Sequence, residues 1–287
     1  MHEVLHLLWH AFLDTLKVVP FLFLTYLIME WLEHRAGERV ERAVARAGKA
    51  GPAIGAALGL LPQCGFSAAA AGLFSGRVVT VGTLLAVFLS TSDEMIAVFL
   101  GEGISPRTVF AVLAVKLIVA VAVGFAADLL FAKKQQGLHV EELCHEEGCH
   151  CEKGILRSAL YHTAGIVLFI LIINVLLGAA LHFVSAERLA AWLGGVPVLS
   201  QCVAALVGLI PNCAASVAVA TLYARGVLSA GAMLAGLLTG AGAGLLVLFR
   251  TNKHLRQNLI LAAVLLGVGV LVGCVFDYAG LGALLGL

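Results

Sequence analysis

Two nine-residue stretches hold most of the residues that could do chemistry. Gly59-Leu60-Leu61-Pro62-Gln63-Cys64-Gly65-Phe66-Ser67 and Gly208-Leu209-Ile210-Pro211-Asn212-Cys213-Ala214-Ala215-Ser216 each set a helix breaker, an amide, a thiol and a hydroxyl inside long apolar surroundings. Proline removes a backbone donor and breaks the helix. Backbone freed this way cannot face hydrocarbon, so it must line protein or water. Further polar residues interrupt two other apolar runs: Ser92, Asp93 and Glu94 in the first, and Thr239 ahead of Gly240-Ala241-Gly242-Ala243-Gly244 in the second. The candidate substrate-binding set is therefore Gln63, Cys64 and Ser67 from one stretch, Asn212, Cys213 and Ser216 from the other, with Ser92, Asp93, Glu94 and Thr239 between them. Oxygen ligands with carboxylates suit Mn²⁺, whereas thiolates favour softer ions. This mixed set points to a borderline divalent cation held chiefly by Asp93 and Glu94, with Gln63 and Asn212 as supporting metal ligands.

Each of these residues also has a plainer reading. Acids at the start of a helix are stabilised by its dipole, so Asp93 and Glu94 also suit caps of a broken helix. Carboxylates at mid-membrane depth are nevertheless costly without a role. Cys64 and Cys213 are small and apolar enough simply to pack. Asp128 and Asp277 lie near helix ends and suit caps or interfacial anchors, with gating or proton transfer as the other reading. An anion site would want a cation, and Lys116 is the one that the mid-depth segments offer.

The elements that must position these residues come in two copies. Cys64 and Cys213 are 149 residues apart, and the same offset pairs Val78 with Val227, Gly82 with Gly231, Ala86 with Ala235 and Asp128 with Asp277. Asp93 and Glu94, however, pair with Gly242 and Ala243, so one copy alone supplies the carboxylates. With 61% hydrophobic and 12% charged residues in 287, the chain reads as an all-α polytopic membrane protein. The 32 glycines suit close helix packing.

In order, the chain divides into a first transmembrane repeat at 1–132, a linker at 133–157 and a second repeat at 158–287. The first span, 5–32, has no basic region before it and reads as a retained helix rather than a cleaved signal. It carries His6, His10, Asp14 and Lys17 on one face. His10, Asp14 and, in the second repeat, His162 are candidates for proton coupling; an interfacial Asp14–Lys17 pair is the alternative. Residues 51–76 and 201–226 each hold a proline break with roughly a dozen residues on either side, about 18 Å per arm at 1.5 Å per residue. Each fits a re-entrant hairpin whose tip reaches mid-depth. Interrupted crossings follow at 78–100 and 227–249, then uninterrupted ones at 107–131 and 257–277.

If the proline segments cross the membrane, the two repeats are parallel; if they are hairpins, the repeats are inverted. Lysine and arginine placement favours inversion. Hairpins leave the basic segments 33–50, 133–157 and 250–256 on the cytoplasmic side and the poorly charged 101–107 and 183–200 outside, with Arg225 as the exception. Inverted repeats with broken helices meeting at mid-depth are how secondary transporters build a site opened alternately from either side.

The linker gathers His139, Cys144, His145, Cys149, His150 and Cys151. This dense nitrogen and sulfur cluster resembles a metal-binding tract, although its spacing matches no closed zinc module. It is expected to capture or sense cytosolic Zn²⁺ or a similar thiophilic ion, off the transport path. The seven cysteines do not form a disulfide framework.

Taken with FLSTSDE at 88–94, LLTGAGAGLLVLFRTNK at 237–253 and DTLKVVPFLFLTYLIMEWLEH at 14–34, the paired Pro-[Gln/Asn]-Cys-x-x-Ser motifs make the chain resemble the ten-transmembrane heavy-metal exporters. Members of that family are labelled manganese transporters or arsenic efflux proteins. Ten is also the count reached when each hairpin arm is scored as a helix. The resemblance implies metal or metalloid export rather than enzymatic chemistry, with no resident cofactor. Together these features lead to an expected proton-coupled secondary transporter exporting a divalent metal, Mn²⁺ foremost, in a bacterial or archaeal inner (plasma) membrane. The alternative within transport is arsenite or organoarsenical efflux through Cys64 and Cys213. A thiol enzyme pairing a cysteine with His10 or His162 and a channel are the readings from other classes. No phosphate-cradling loop supports ATP coupling. The expected partners are membrane lipid and the metal, not nucleic acid, and assembly into a homo-oligomer stays open.

Overall fold

The computed structural model describes residues 9, 12–13, 15–16, 19–20, 23–24, 27, 50–61, 64–92, 95–131, 155–182 and 197–282. Eleven helices lie among them: α1 (Gly51–Gly59), α2 (Cys64–Ser75), α3 (Val81–Ser90), α4 (Met95–Gly101), α5 (Pro106–Phe131), α6 (Ile155–His182), α7 (Pro197–Gly208), α8 (Cys213–Ala224), α9 (Ala230–Thr239), α10 (Ala243–Thr251) and α11 (Leu255–Tyr278). The 149-residue offset recurs in the boundaries: α2 and α8 start on the two motif cysteines, and α3 and α9, like α5 and α11, start at equivalent positions.

Local chemistry sets the ends in the same way in both halves. Thr80 caps α3 by accepting from the Thr83 N–H (3.1 Å), and Ser229 caps α9 by accepting from the Ala232 N–H (3.1 Å). Such caps satisfy donors that the first helical turn leaves open. The turns entering these helices pass through a left-handed residue, Arg77 (φ 55°) in one half and Gly226 (φ 72°) in the other. The break between α9 and α10 turns on Gly242 at φ 53°, where a Cβ would be strained.

Four stretches among the described residues are long and apolar enough to cross a membrane: Val81–Gly101, Pro106–Phe131, Ala230–Thr251 and Leu255–Tyr278. These are the four crossings expected at 78–100, 107–131, 227–249 and 257–277. All of α3 is buried, as is α9 from Gly231 on. By contrast α5, α6 and α11 turn large apolar side chains outward, among them Phe110, Ile118, Leu129, Leu168, Ile172 and Leu271. The result is a helical bundle with two central broken helices and an apolar rim suited to lipid.

Small residues bring the helices close. Gly51 lies against Thr83, Gly55 against Val87 and Gly59 against Ser90, so α1 runs along α3 in the same direction and α2 must return between them. In the second half Gly208 lies against Gly236 and Thr239, while Gln201 bonds to Asp277 near the start of α9, so α7 runs along α9 likewise. After each break the chain leaves its own half. A Cβ on Gly244 of α10 would stand 2.7 Å from Ser67 of α2, and Thr251 at its far end shares a 2.6 Å hydrogen bond with Ser75, so α10 lies alongside α2, pointing the same way. Correspondingly α4 packs on α8: the Phe99 and Tyr223 rings are 5.7 Å apart, and Glu102 stands 3.9 Å from Arg225. Arg225, the residue that broke the charge pattern, thus has an acidic neighbour.

Two hydrophobic cores follow from this crossing over. One joins α1, α2 and α3 to α10, with Ala68, Phe74, Leu84, Phe88, Val247 and Leu248 among its buried members. The other joins α7, α8 and α9 to α4 through Met95, Phe99, Ala204, Val219, Met233 and Leu234.

Candidate functional site

The interrupted crossings bring a polar cluster into the centre of the bundle. Ser67, Ser90, Thr91, Ser92, Lys116, Ser216 and Thr239 are all buried. Lys116, on α5, is at its heart. Its Nζ donates to the carbonyl of Thr91, just past the end of α3, and to the carbonyl of Leu237 in the last turn of α9, at 2.9 Å. Both carbonyls lie at helix C-terminal ends, where the backbone dipole favours a cation. One ammonium therefore spans the two halves, and the breaks lie within roughly two hydrogen-bond lengths of each other.

The residues singled out from the sequence differ in where the structure places them. Ser67 and Ser216 are brought to the breaks: Ser67 lies against Gly244 at the start of α10, and Ser216 lies against Gly240, whose Cβ would be 3.3 Å from its Oγ. Asn212 is the N-cap of α8; its Oδ1 accepts from the Ala214 N–H at 2.8 Å, which leaves the second lone pair of that oxygen for another partner. Ser92 and Thr239 are at the breaks but bond to backbone. The Ser92 hydroxyl donates to the Ser90 carbonyl (2.9 Å). Thr239 Oγ1 lies 2.8–3.1 Å from the carbonyls of Ala205, Ala235 and Gly236, fastening α7 to α9.

Cys64 and Cys213 occupy the first residue of α2 and of α8, equivalent positions immediately after the two breaks, and His162 is in α6. Gln63, Asp93, Glu94, His10 and Asp14 lie outside the described residues, as does the linker cluster of His139, Cys144, His145, Cys149, His150 and Cys151. Among the described residues no group of three or more histidine, cysteine or acidic side chains could hold a metal.

Asp128 and Asp277 act as caps, the plainer of their two readings. From the far end of α5, Asp128 accepts from the Gly82 N–H (2.7 Å) and the Thr80 hydroxyl (2.8 Å) at the start of α3. From α11, Asp277 accepts from the Gly231 N–H (2.8 Å), the Ser229 hydroxyl (2.6 Å) and the Gln201 amide. The glycines are required: a Cβ on Gly82 or Gly231 would collide with the carbonyl of Gly124 or Gly273. Each central helix is thus clamped at its start, with its broken end at the polar cluster.

Sequence reasoning undervalued Lys116. The available signal was the absence of charge around it: Val115 and Leu117 flank it in a 26-residue apolar helix, and its counterpart in the other half is Leu265. Ionisable residues within membrane spans are rare and almost always face the bundle interior or a water-filled cavity.

Buried polar breaks inside apolar crossings, walled by outward-facing hydrocarbon, define a multi-pass helical membrane protein. Residues 3–187, more than half of the chain, match the family described as "Putative, 10TM heavy-metal exporter", and the chain belongs to that family. It is accordingly a membrane transporter of the metal-exporting kind and not an enzyme. The match holds the first motif and the linker; the second motif, beyond residue 187, repeats the first at the constant offset. No curated protein and no solved structure matches the chain.

Proposed function

We propose that the protein is a proton-coupled secondary transporter that exports a divalent metal cation, Mn²⁺ foremost, by alternating access at a site between two inverted repeats. The observation that carries this reading is the meeting of both helix breaks and both motif serines at one buried polar cluster. Support for inversion comes from helix direction. The segment α2 runs back past α3, α10 lies alongside α2 with the same direction, and α9 with α10 forms one crossing, so α9 is opposed to α3. The parallel run of α1 with α3, and of α7 with α9, supports re-entrant hairpins at 51–76 and 201–226. In this arrangement Asp93 and Glu94 are the principal ligands, Gln63 and Asn212 add amide oxygens, and His10, Asp14 and His162 exchange protons. The membrane is the inner one of a bacterium or archaeon, and the linker cluster captures Zn²⁺ or a similar ion on the cytoplasmic face.

A second reading, efflux of arsenite or an organoarsenical, draws on one observation: Cys64 and Cys213 begin equivalent helices immediately after the breaks. Flux assays in proteoliposomes with Mn²⁺, Zn²⁺, Co²⁺ and arsenite separate the two. For a divalent-metal carrier, Asp93→Asn abolishes Mn²⁺ flux while the double Cys64→Ser, Cys213→Ser variant retains a substantial part of it. Loss of arsenite flux in the cysteine variant, with Mn²⁺ never transported, would replace the first reading by the second.

A further inference from the structure

We infer that Cys202 and Cys274 form a two-thiol site for a thiophilic divalent ion that takes two ligands, the mercuric ion being the type. The site lies at the seam of α7 and α11, apart from the central cluster, and does not depend on the transport reading. Helix direction and register bring the two cysteines level. The start of α9 meets the end of α11 through Gly231 and Asp277, and Thr239 at its other end lies against Gly269, so the two run oppositely. Because α7 runs along α9, it too is antiparallel to α11. Gln201 of α7 donates to Asp277, and a Cβ on Gly273 would stand 3.1 Å from its Cγ. It is therefore opposite the middle of 273–277. One step forward on α7 is one step back on α11, which sets Cys202 opposite Cys274. Each cysteine is also turned about 100° from a buried neighbour, Gln201 or Gly273. Both thiols are free and half-buried, on the shoulder of the seam, and Cys274 is within electrostatic reach of Cys202 and Asp277.

Two further observations single out this seam. The Oε1 of Gln201, a fully buried residue against Gly273 and Asp277, has no hydrogen-bond partner, which sets an unmet acceptor beside the thiols. At the offset of 149, Gln201, Cys202 and Cys274 correspond to Pro52, Ala53 and Phe125, whereas Asp277 keeps its counterpart Asp128. The first half builds its carboxylate clamp without an amide or a thiol, so the clamp does not account for the cysteines. Two thiols suit a soft ion, and the lack of a larger donor group among the described residues disfavours Zn²⁺, which takes four ligands. Charge decides the valence. On binding, each S–H bond breaks, its electron pair goes to a sulfur–metal bond, and two protons leave to water. A divalent ion then gives a neutral complex. A monovalent ion would leave a net negative charge beside Asp277 in apolar surroundings, which is costly.

The test is the amount of Hg²⁺ that the full-length protein, reduced and in detergent, retains through gel filtration against excess glutathione. A paired site outlasts single thiols through the effective concentration of its second ligand. The wild type should retain about one equivalent more than Cys202→Ser or Cys274→Ser. The double variant should lose no more than either single one, because both thiols hold the same ion. The wild-type site should also withstand about a hundredfold more glutathione than a single-thiol variant. Alanine variants serve in the same comparison if the serine ones do not fold. Equal retention in the wild type and the single variants overturns the inference, and so do losses that add in the double variant. A Cys202–Cys274 disulfide found by mass spectrometry in protein purified without reductant overturns it as well, since the pair would then be a covalent staple.

Discussion

Removing the carboxylate clamps should destabilise the two halves unequally. Asp128→Ala deletes hydrogen bonds from the Gly82 N–H and the Thr80 hydroxyl. Hydrogen bonds to a charged group contribute about 1.5–3 kcal/mol each, and an orphaned buried donor costs about 1–3 kcal/mol. The Thr80 hydroxyl can turn to Thr83 Oγ1, 2.8 Å away, but the Gly82 N–H has no such recourse. The net loss is then about 2–3 kcal/mol, in the range of a strong helix cap. Asp277→Ala deletes three bonds, one of them the donor contact of Gln201, whose Oε1 already lacks a hydrogen-bond partner. That loss should reach about 3–5 kcal/mol. Thermal unfolding in detergent, followed by size exclusion, should therefore rank the wild type above Asp128→Ala above Asp277→Ala, with the two separated by a few degrees at roughly 2 °C per kcal/mol. The aspartates act by accepting hydrogen bonds, so Asp128→Asn should recover much of the loss, with its Oδ1 still accepting from Gly82. Equal stability of all variants, or an Asn variant as weak as the Ala one, would refute the clamp.

Gly244→Ala places a Cβ 2.7 Å from three atoms of Ser67 and should cost about 1–3 kcal/mol by overpacking, with Mn²⁺ flux reduced further because α10 and α2 meet at the cluster. Gly267→Ala, with nothing within 4 Å, should be neutral or stabilising by about 0.5–1 kcal/mol in the same melting assay. Deleting 139–151 should leave flux intact at saturating Mn²⁺ in proteoliposomes and lower it only at scarce metal; loss at saturation would place the linker on the transport path.

Much of the frame was legible in the sequence because duplication and helix breaking leave marks that do not depend on context. The 149-residue offset and the two prolines located both helix pairs, and the apolar runs located the crossings to within three residues. Asp128 and Asp277 were legible as a pair since a cap lies at a fixed position relative to what it caps. Lys116 was not, because the two carbonyls it bonds are 25 and 121 residues away and no local pattern announces them. Nor was the passage of α4 onto α8 and α10 onto α2. In a membrane both the buried and the lipid-facing sides of a helix are apolar, so the periodicity that would orient a helix in a soluble bundle is nearly flat. Thr239 shows the same limit at one side chain: its hydroxyl reads as a ligand, while its one partner outside its own helix, the Ala205 carbonyl on α7, comes from a neighbour that the sequence does not reveal.

The passage of each post-break helix into the opposite half has a consequence for how the chain becomes a protein. Neither half owns a complete interior, since Phe99 is packed by residues encoded more than a hundred positions later and Leu248 by residues encoded as far earlier. The first half, emerging alone during synthesis, holds a stub with no socket and a socket with no stub. The molecule closes only when the second half arrives to dovetail with it, which makes the pair obligate companions and the joint between them the last thing to form.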